Sequence, residues 1–330
     1  MARLVNRGFT ATLLVLLIAA ELALRAAASA PPQVVRIVYG TTLAMYVAVA
    51  DRLRHAAPDV RVLVLGDSLA MTQFQPDIFA ADHGLPANAV FNASYLAQTF
   101  RSQQTLLRSM GTDRFPRLRR VLLFINPRRL TPDGNVDSAV FRIAIPEVGG
   151  PWHSAWADKS LSPMLDYSRL YGLSRYLLTA SWRQVGRPTS WDEVEYLGPQ
   201  GGVTFDRPRP AGDRPAYFFA PVDALSEESV ADLTRVIELF RSRGISVVLL
   251  PSAHHPSVQP FASAMAESQF SARMQRLADE TGSAWMSMPA GSFQPPADSD
   301  YLDYGHLNRS GGVAFTHHLR DALAMLPPLE

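Results

Sequence analysis

The chain has 330 residues, of which 47% are apolar and only 18% are charged, and its formal net charge is +1. Globular domains carry about 25% charged residues, so this chain is lightly charged, and its apolar content excludes global disorder. The near-neutral balance argues against a nucleic-acid binder, and the absence of cysteine excludes disulfides, thiolate metal sites and cysteine nucleophiles.

The N-terminal sequence has the pattern of a membrane-targeting segment. Residues 8–20 form an uncharged apolar run behind Arg3 and Arg7, an arrangement typical of a segment whose start stays in the cytoplasm. The alanines at 26–28 suit a cleaved signal peptide, whereas an uncleaved helix suits a membrane anchor. We favour the anchor and assign residues 1–32 to a signal anchor or transmembrane helix. This predicts a single-pass protein of the inner membrane whose catalytic domain lies in the periplasm.

The next segment, residues 33–59, is predicted to be a juxtamembrane helix and linker. Its apolar stretch from Val34 to Leu53 suits a helix that lies on the membrane or packs on the following domain, and we favour packing on the domain. We assign residues 60–330 to one domain. An insertion at about 131–221, rich in Pro, Gly, Trp and Arg, interrupts that domain.

Beyond residue 60, short apolar runs alternate with amphipathic segments. The apolar runs are typical of buried parallel strands. They predict strands at 60–65, 88–92, 120–125, 245–250 and 284–286. The amphipathic segments predict helices at 226–244, 262–281 and 311–326. This alternation predicts an α/β fold whose parallel sheet is covered by helices on both faces.

A serine lies where the first predicted strand turns into a helix, in the Gly-Asp-Ser-Leu sequence of residues 66–69. Ligands bind outside the carboxyl ends of the strands in open parallel sheets, so Ser68 is placed to act as a nucleophile. The backbone N–H groups of the helix start could stabilise a developing oxyanion. The alternative is that Ser68 only caps the helix. Because Lys159 is the only lysine, Schiff-base and Ser–Lys chemistry are almost excluded.

A second candidate feature lies just before the last predicted helix, where Asp303 and His306 are three residues apart. In a turn, this spacing lets the carboxylate reach the far nitrogen of the imidazole ring and stabilise the imidazolium formed after proton abstraction. The order Ser68, Asp303, His306 along the chain is one of several that build a catalytic triad.

These residues resemble the SGNH, or GDSL-type, hydrolase superfamily. The first block of that family matches residues 66–69, and its D-x-x-H block matches Asp303 and His306. The resemblance implies a three-layer α/β/α flavodoxin-like fold and catalytic roles for Ser68, Asp303 and His306. It also implies an oxyanion hole formed by Ser68, Ala97 and Asn126. The family's glycine falls on Ala97, and the glycine and aspartate that flank the family's asparagine are absent around Asn126.

The chain also resembles a narrower group within this superfamily, the membrane-anchored SGNH proteins of bacterial polysaccharide O-acetylation and D-alanyl transfer. The resemblance lies in the order of four features along the chain: an N-terminal apolar helix, a distant GDSL block, a long insertion and a terminal D-x-x-H. The resemblance implies an acyltransferase that works with a multi-pass membrane-bound O-acyltransferase and acylates a hydroxyl of an envelope or secreted polysaccharide. An esterase or deacetylase for the same substrates, and a non-catalytic scaffold subunit, remain alternatives.

Several other polar residues have weaker interpretations. Arg128 and Arg129 could bind a carboxylate or phosphate of an anionic glycan, although a solvated pair in a loop is the more common case. His254 and His255 follow a predicted strand and are expected to be structural, with one of them a candidate for the rim of the active site. We predict no metal site and no cofactor, because neither a nucleotide-binding fingerprint nor a helical zinc motif is present in the sequence.

Overall fold

The computed structural model describes residues 12–20, 22–23, 41–96, 98–131, 197–205, 221–255, 258, 260–287, 298–303, 305–323 and 326. The chain divides into two compact units. The first combines Met1–Ala48 with Asp137–Asp192, and the second combines Val49–Val136 with Glu193–Glu330. Most of the predicted insertion lies outside the described residues, and so does Ala97.

In the first unit, residues 12–20 and 22–23 are helical. Their large apolar side chains are exposed, from 46% for Leu13 to 63% for Val15. A helix needs about 20 apolar residues to cross a bilayer. None of the helices within the described ranges is long and apolar enough to do so. The transmembrane helix predicted within residues 1–32 stays a prediction, because residues 1–11, 21 and 24–32 lie outside the described ranges.

The second unit is built on a sheet of five parallel strands among its described residues. These are β1 (Val62–Leu65), β2 (Val90–Asn92), β3 (Arg120–Ile125), β4 (Ser246–Pro251) and β5 (Ala284–Trp285). Their order in the sheet is β2-β1-β3-β4-β5, which is the order of flavodoxin-like doubly wound folds. The predicted strands are thus confirmed, and so is the parallel α/β class. Strand β3 has its predicted bounds, β4 is shifted by one residue, and β1, β2 and β5 are shorter than predicted.

Seven helices in the described ranges accompany these strands. They are α1 (Thr41–Ala56), α2 (Ser68–Gln73), α3 (Pro76–Asp82), α4 (Phe100–Met110), α5 (Glu227–Arg241), α6 (Ala264–Thr281) and α7 (Arg309–Leu323). The predicted helices at 226–244, 262–281 and 311–326 correspond to α5, α6 and α7. Helix α7 begins two residues early because the side chain of Asn308 accepts the backbone N–H of Gly311, at 3.2 Å, and caps the helix there.

Side chains alternate between the two faces of the central strands, and both faces are buried. One face contributes to a core cluster that includes Val64, Phe124 and Leu250, together with Phe74 at the end of α2 and Phe315 of α7. The alternate residues of these strands are also fully or almost fully buried. Helix α5 contacts β4 and packs beside α4 and α6. Helices therefore cover the sheet on both sides, as the continuous apolar runs predicted.

The part of α1 that belongs to the second unit packs on it. Val49 and Leu53 are fully buried. Arg52 donates hydrogen bonds to the carbonyl oxygens of Leu197 and Gly198. This half of the helix therefore contacts the second unit, and the juxtamembrane location of residues 33–59 stays a prediction.

Residues 197–205, called the clasp segment below, connect several elements next to β2. Gly201 bridges to Asn92 at the end of β2, in parallel orientation. The backbone N–H of Val203 donates to the carbonyl of Met71 in α2, at 2.9 Å, and the N–H of Arg309 in α7 donates to Phe205, also at 2.9 Å. The clasp segment thus joins the sheet edge to the two helices that flank the candidate site.

Candidate active site

The candidate site lies where the order of the sheet reverses. Strands β1 and β3 are neighbours, but the chain leaves β1 toward β2 on one side and continues from β3 toward β4 on the other. This is the switch point at which open α/β sheets bind ligands. Asp67 and Ser68 follow the carboxyl end of β1, and Asn126 follows the carboxyl end of β3.

Gly66 makes the turn after β1 possible. A Cβ atom on this residue would lie 2.4 Å from the Cβ of Ala70 in α2 and 2.9 Å from the Cβ of Phe124 in β3. Real Cβ atoms do not approach this closely, so only glycine lets the chain turn between the helix and the neighbouring strand. Close packing therefore explains why the GDSL sequence begins with glycine.

Ser68 is the first residue of α2 and is half-buried. The residue that caps the helix is Asp67, whose carboxylate accepts the backbone N–H of Leu69 at 3.1 Å. The alternative interpretation of Ser68 as a helix cap is therefore wrong. The hydroxyl of Ser68 lies beyond the end of β1 and is not the cap of the helix.

Asp67 is also the centre of an ion pair that the sequence did not reveal. Its side chain is 2% exposed, and one carboxylate oxygen accepts hydrogen bonds from Arg129 Nε at 2.9 Å and Asn126 Nδ2 at 2.8 Å. A buried carboxylate requires such partners, because removal from water is costly when the charge is uncompensated. Asp67 is thus held at one carboxylate oxygen by two side chains of the turn that follows β3.

This ion pair bears on two of the predicted roles. Asn126 uses one amide hydrogen on Asp67, and its Oδ1 accepts the backbone N–H of Arg128 at 3.2 Å, so the orientation of the amide is fixed. A second amide hydrogen exists for an oxyanion. Arg129 commits its Nε to Asp67, so substrate binding by this side chain would have to use its other donors. The oxyanion roles of Ser68 and Asn126 remain predictions, and Ala97 lies outside the described residues.

Asp303 and His306 are in direct contact. The imidazole Nδ1 lies 2.8 Å from Asp303 Oδ2 and 3.0 Å from Oδ1. Oδ1 also accepts the backbone N–H groups of Gly305 and His306, both at 2.8 Å. Burial of the Asp303 carboxyl opposes its ionisation, but the His306 charge and these hydrogen bonds outweigh burial and lower the pKa of Asp303 to about 2. The carboxylate is therefore ionised at neutral pH and orients the ring.

The loop that carries this pair is closed on itself by backbone hydrogen bonds. Tyr301 and Leu307 form an antiparallel bridge, and the N–H of Leu302 donates to the carbonyl of His306 at 2.8 Å. The N–H of Asn308 donates to Asp300 at 2.9 Å. These contacts hold His306 directly before α7, in a loop with little freedom to reorient. Such rigidity favours a side chain that must point at a reacting atom.

His254 lies close to both halves of the site, at the end of β4. Burial lowers the pKa of His254 to about 4, the Asp67 charge partly offsets this effect, and the His306 charge reinforces it. Both ring nitrogens are shielded from solvent, although the residue as a whole is half-buried. The ring is therefore neutral at pH 7. The influence of the Asp67 and His306 charges indicates that the ring of His254 lies near both groups.

Gln73, at the end of α2, is a further residue of the site that sequence reasoning missed. It is fully buried, and its amide bonds to backbone groups of Ala253 and Gly305. No motif marks it in the sequence, because its partners are 180 and 232 residues away along the chain.

Metal ligation has no evident place among the residues described. In that part of the chain, no three or more His, Asp or Glu side chains are grouped so that they could hold a metal ion. The charged side chains nearest the switch point are instead joined to one another.

No family model and no curated protein matches the chain in sequence. One solved structure that resembles it is that of a presumed acylhydrolase from Bacteroides fragilis NCTC 9343. The match has a TM-score of 0.38 and 12% sequence identity, and it covers 82% of this chain and 92% of that chain. At this level of structural and sequence similarity, the match does not define the function of this chain.

Proposed function

We propose that this protein is a serine-dependent acyl-transfer enzyme of the SGNH type. The observation that carries the proposal is the placement of Ser68 at the sheet's switch point, together with the Asp303–His306 pair, in which an ionised carboxylate holds the imidazole. His254 feels the charges of both Asp67, next to the serine, and His306. This supports the assignment of both features to one site.

In the proposed reaction, Nε2 of His306 accepts the proton of the Ser68 hydroxyl while Ser68 Oγ attacks the carbonyl carbon of an ester. Asp303 keeps the proton of the ring on Nδ1 and stabilises the imidazolium. Collapse of the tetrahedral intermediate breaks the bond to the leaving alcohol, which takes the proton from His306. Water or a second hydroxyl then attacks the acyl-enzyme by the reverse steps and releases Ser68.

Substitution of Ser68 by alanine tests this chemistry. Because a triad acts as a unit, we expect Ser68→Ala to lower kcat on a small acetyl ester by at least about 10³-fold and to abolish labelling by a serine-reactive phosphonate. Ser268→Ala, which alters an exposed serine of α6, is the matched control and should keep both properties. Labelling that persists in Ser68→Ala would contradict the proposal. An unlabelled wild-type protein would point to the scaffold alternative.

We further propose that the acyl acceptor is a hydroxyl group of an envelope or secreted polysaccharide and that a multi-pass membrane-bound O-acyltransferase supplies the acyl group. The resemblance to polysaccharide O-acetylation proteins supports this part. Incubation with an acetyl ester and an oligosaccharide should give an acetylated oligosaccharide. Release of free acetate alone would make the protein an esterase. A gene for such an acyltransferase beside this one would support the partnership, and its absence would count against it.

The same proposal places the reaction outside the cytoplasm, with the N-terminal segment as the membrane address. The apolar run behind Arg3 and Arg7 and the exposed leucines at 13–17 support it. A full-length chain with a C-terminal tag should fractionate with membranes or periplasm and be cut by protease added to spheroplasts. Protection of the tag in intact spheroplasts, with the protein in the cytoplasmic fraction, would overturn this location.

A further inference from the structure

Gln73 connects three elements of the candidate site through one side chain. It is the last residue of α2, the helix that begins with Ser68, and it is 0% exposed. Its Nε2 donates to the carbonyl of Ala253 at 2.6 Å and to the carbonyl of Gly305 at 3.1 Å. Its Oε1 accepts the backbone N–H of Ala253 at 3.1 Å.

Both partners of Gln73 are next to residues that matter for the site. Ala253 precedes His254 at the end of β4, and Gly305 precedes His306 in the D-x-x-H loop. The paired hydrogen bonds to Ala253 fix the backbone at the end of β4 in the same way as one rung of a sheet. The single bond to Gly305 then connects this fixed point to the histidine loop.

Only a primary amide of this length can make the three bonds. The amide has two N–H groups and one carbonyl oxygen, and here both N–H groups and the oxygen have partners. A methionine at this position would fill the space but leave the carbonyl and N–H of Ala253 and the buried carbonyl of Gly305 without Gln73 as a partner. Asparagine is one methylene shorter and could not reach both partners from the same backbone position.

We infer that Gln73 is a positioning residue that sets the location of His306 relative to Ser68. Helix α2 has only six residues, with Ser68 at its first position and Gln73 at its last, so the two residues move as one rigid body. A bond from Gln73 to Gly305 therefore ties the serine helix to the histidine loop. This role rests on the proposed function, since it matters for catalysis only if Ser68 and His306 react together.

The test compares Gln73→Met with Gln104→Met in the full-length protein. Gln104 is also buried, and its Nε2 also donates to a backbone carbonyl, but that carbonyl belongs to Asp232 of α5 and not to the serine helix or the histidine loop. We expect Gln73→Met to lower kcat on a small acetyl ester by about 10- to 100-fold, the usual effect of a misplaced catalytic group. KM should stay within about threefold, and phosphonate labelling should slow by a similar factor as kcat.

A readout independent of activity keeps this test separate from the proposed function. Nitrogen NMR of ¹⁵N-histidine-labelled protein reports the ring of His306, assigned by its absence in His306→Gln. We expect the ring resonances of His306 to shift in Gln73→Met and to stay unchanged in Gln104→Met. If Gln73→Met does not fold, Gln73→Glu serves instead, because its side chain has the same length but, when ionised, carries two acceptor oxygens and no donor.

The inference would be overturned if His306 gave wild-type resonances in the folded Gln73 variant, or if Gln104→Met lost activity to the same extent. A wild-type protein without esterase activity or phosphonate labelling would refute the proposed function instead. In that case, the resonances of His306 would still show whether Gln73 positions the loop. The two failures are thus distinguishable.

Discussion

The two carboxylates of the candidate site, Asp67 and Asp303, have different partners. Asp67 is bound by Arg129 and Asn126, so its carboxylate connects the turn after β1 to the turn after β3. Asp303 is bound by the ring of His306 and by two backbone N–H groups. Of these two carboxylates, Asp303 is the one that contacts the imidazole ring of His306, although Asp67 is the neighbour of Ser68 in the sequence.

The geometry of Asp303 predicts the effect of its conversion to asparagine. In Asp303→Asn, the two backbone N–H groups would keep the remaining oxygen at the Oδ1 position, so the new NH₂ group would face Nδ1 of His306. The ring would then carry its proton on Nε2 and could not accept the proton of Ser68. We expect kcat on an acetyl ester to fall by about 10³- to 10⁴-fold with the fold intact.

Asp82→Asn is the matched control for this prediction, because Asp82 Oδ2 contacts Nδ1 of His317 at 2.6 Å in a second Asp–His pair of the same kind. Asp82→Asn should keep kcat close to that of the wild type. Wild-type kcat in Asp303→Asn, with histidine NMR showing the ring proton still on Nδ1, would count against a triad.

At the scale of elements, the clasp segment is the part that local sequence patterns could least predict. Its residues form no regular helix or strand, yet they bridge to β2 and accept or donate backbone hydrogen bonds at α2 and α7. The contact with β2 is so close that a Cβ on Gly201 would lie 1.9 Å from the carbonyl oxygen of Asn92. Glycine is required there both by this approach and by a φ of +72°.

Replacing Gly201 by alanine should therefore destabilise the protein more than its backbone angle alone explains. Gly84 is a matched control, because its φ is +64° but an added Cβ would meet nothing within 4 Å. We expect Gly84→Ala to lower the free energy of unfolding by about 1–2 kcal/mol, and Gly201→Ala to lower it by clearly more. Urea unfolding of both variants measures the difference. Equal decreases in the free energy of unfolding would show that the close contact between the clasp segment and β2 does not contribute to the effect of Gly201→Ala.

At the scale of the whole molecule, the lowered pKa values of His254 and Asp303 make the free energy of unfolding depend on pH. Burial lowers the pKa of His254 to about 4, below the ordinary histidine value of about 6.5. The unfolded chain therefore binds more protons between these values, and stability falls as the pH drops through this window. Asp303, whose pKa is about 2, contributes stability above about pH 4 that is lost as the pH falls toward 2.

We expect the midpoint of urea unfolding to decrease from pH 7 to pH 4, and to decrease less in His254→Gln, because that variant lacks the titrating ring. Ser252→Ala alters a buried residue on the same loop without removing a titratable group, so it should keep the wild-type pH dependence. A pH profile of His254→Gln parallel to that of the wild type would show that His254 is not held neutral by burial.

The sequence by itself determined the class of fold and the chemical groups of the site. Continuous apolar runs must be buried on both faces, which predicts parallel strands, and the strand at 120–125 was predicted at its observed bounds. Motif spacing singled out Ser68, Asp303 and His306, because a turn of three residues is short enough for local geometry to decide the contact between Asp303 and His306.

Only the tertiary structure decided which groups hold the site together. Asp67 meets Arg129, and Gln73 meets Gly305, across 62 and 232 residues of chain. No local pattern encodes such pairs, since they depend on the order β2-β1-β3-β4-β5 and on how closely α2 packs against its neighbours. Short-range physics fixes strands, caps and turns, whereas contacts between distant residues exist only after the sheet has brought the ends of its strands to one edge.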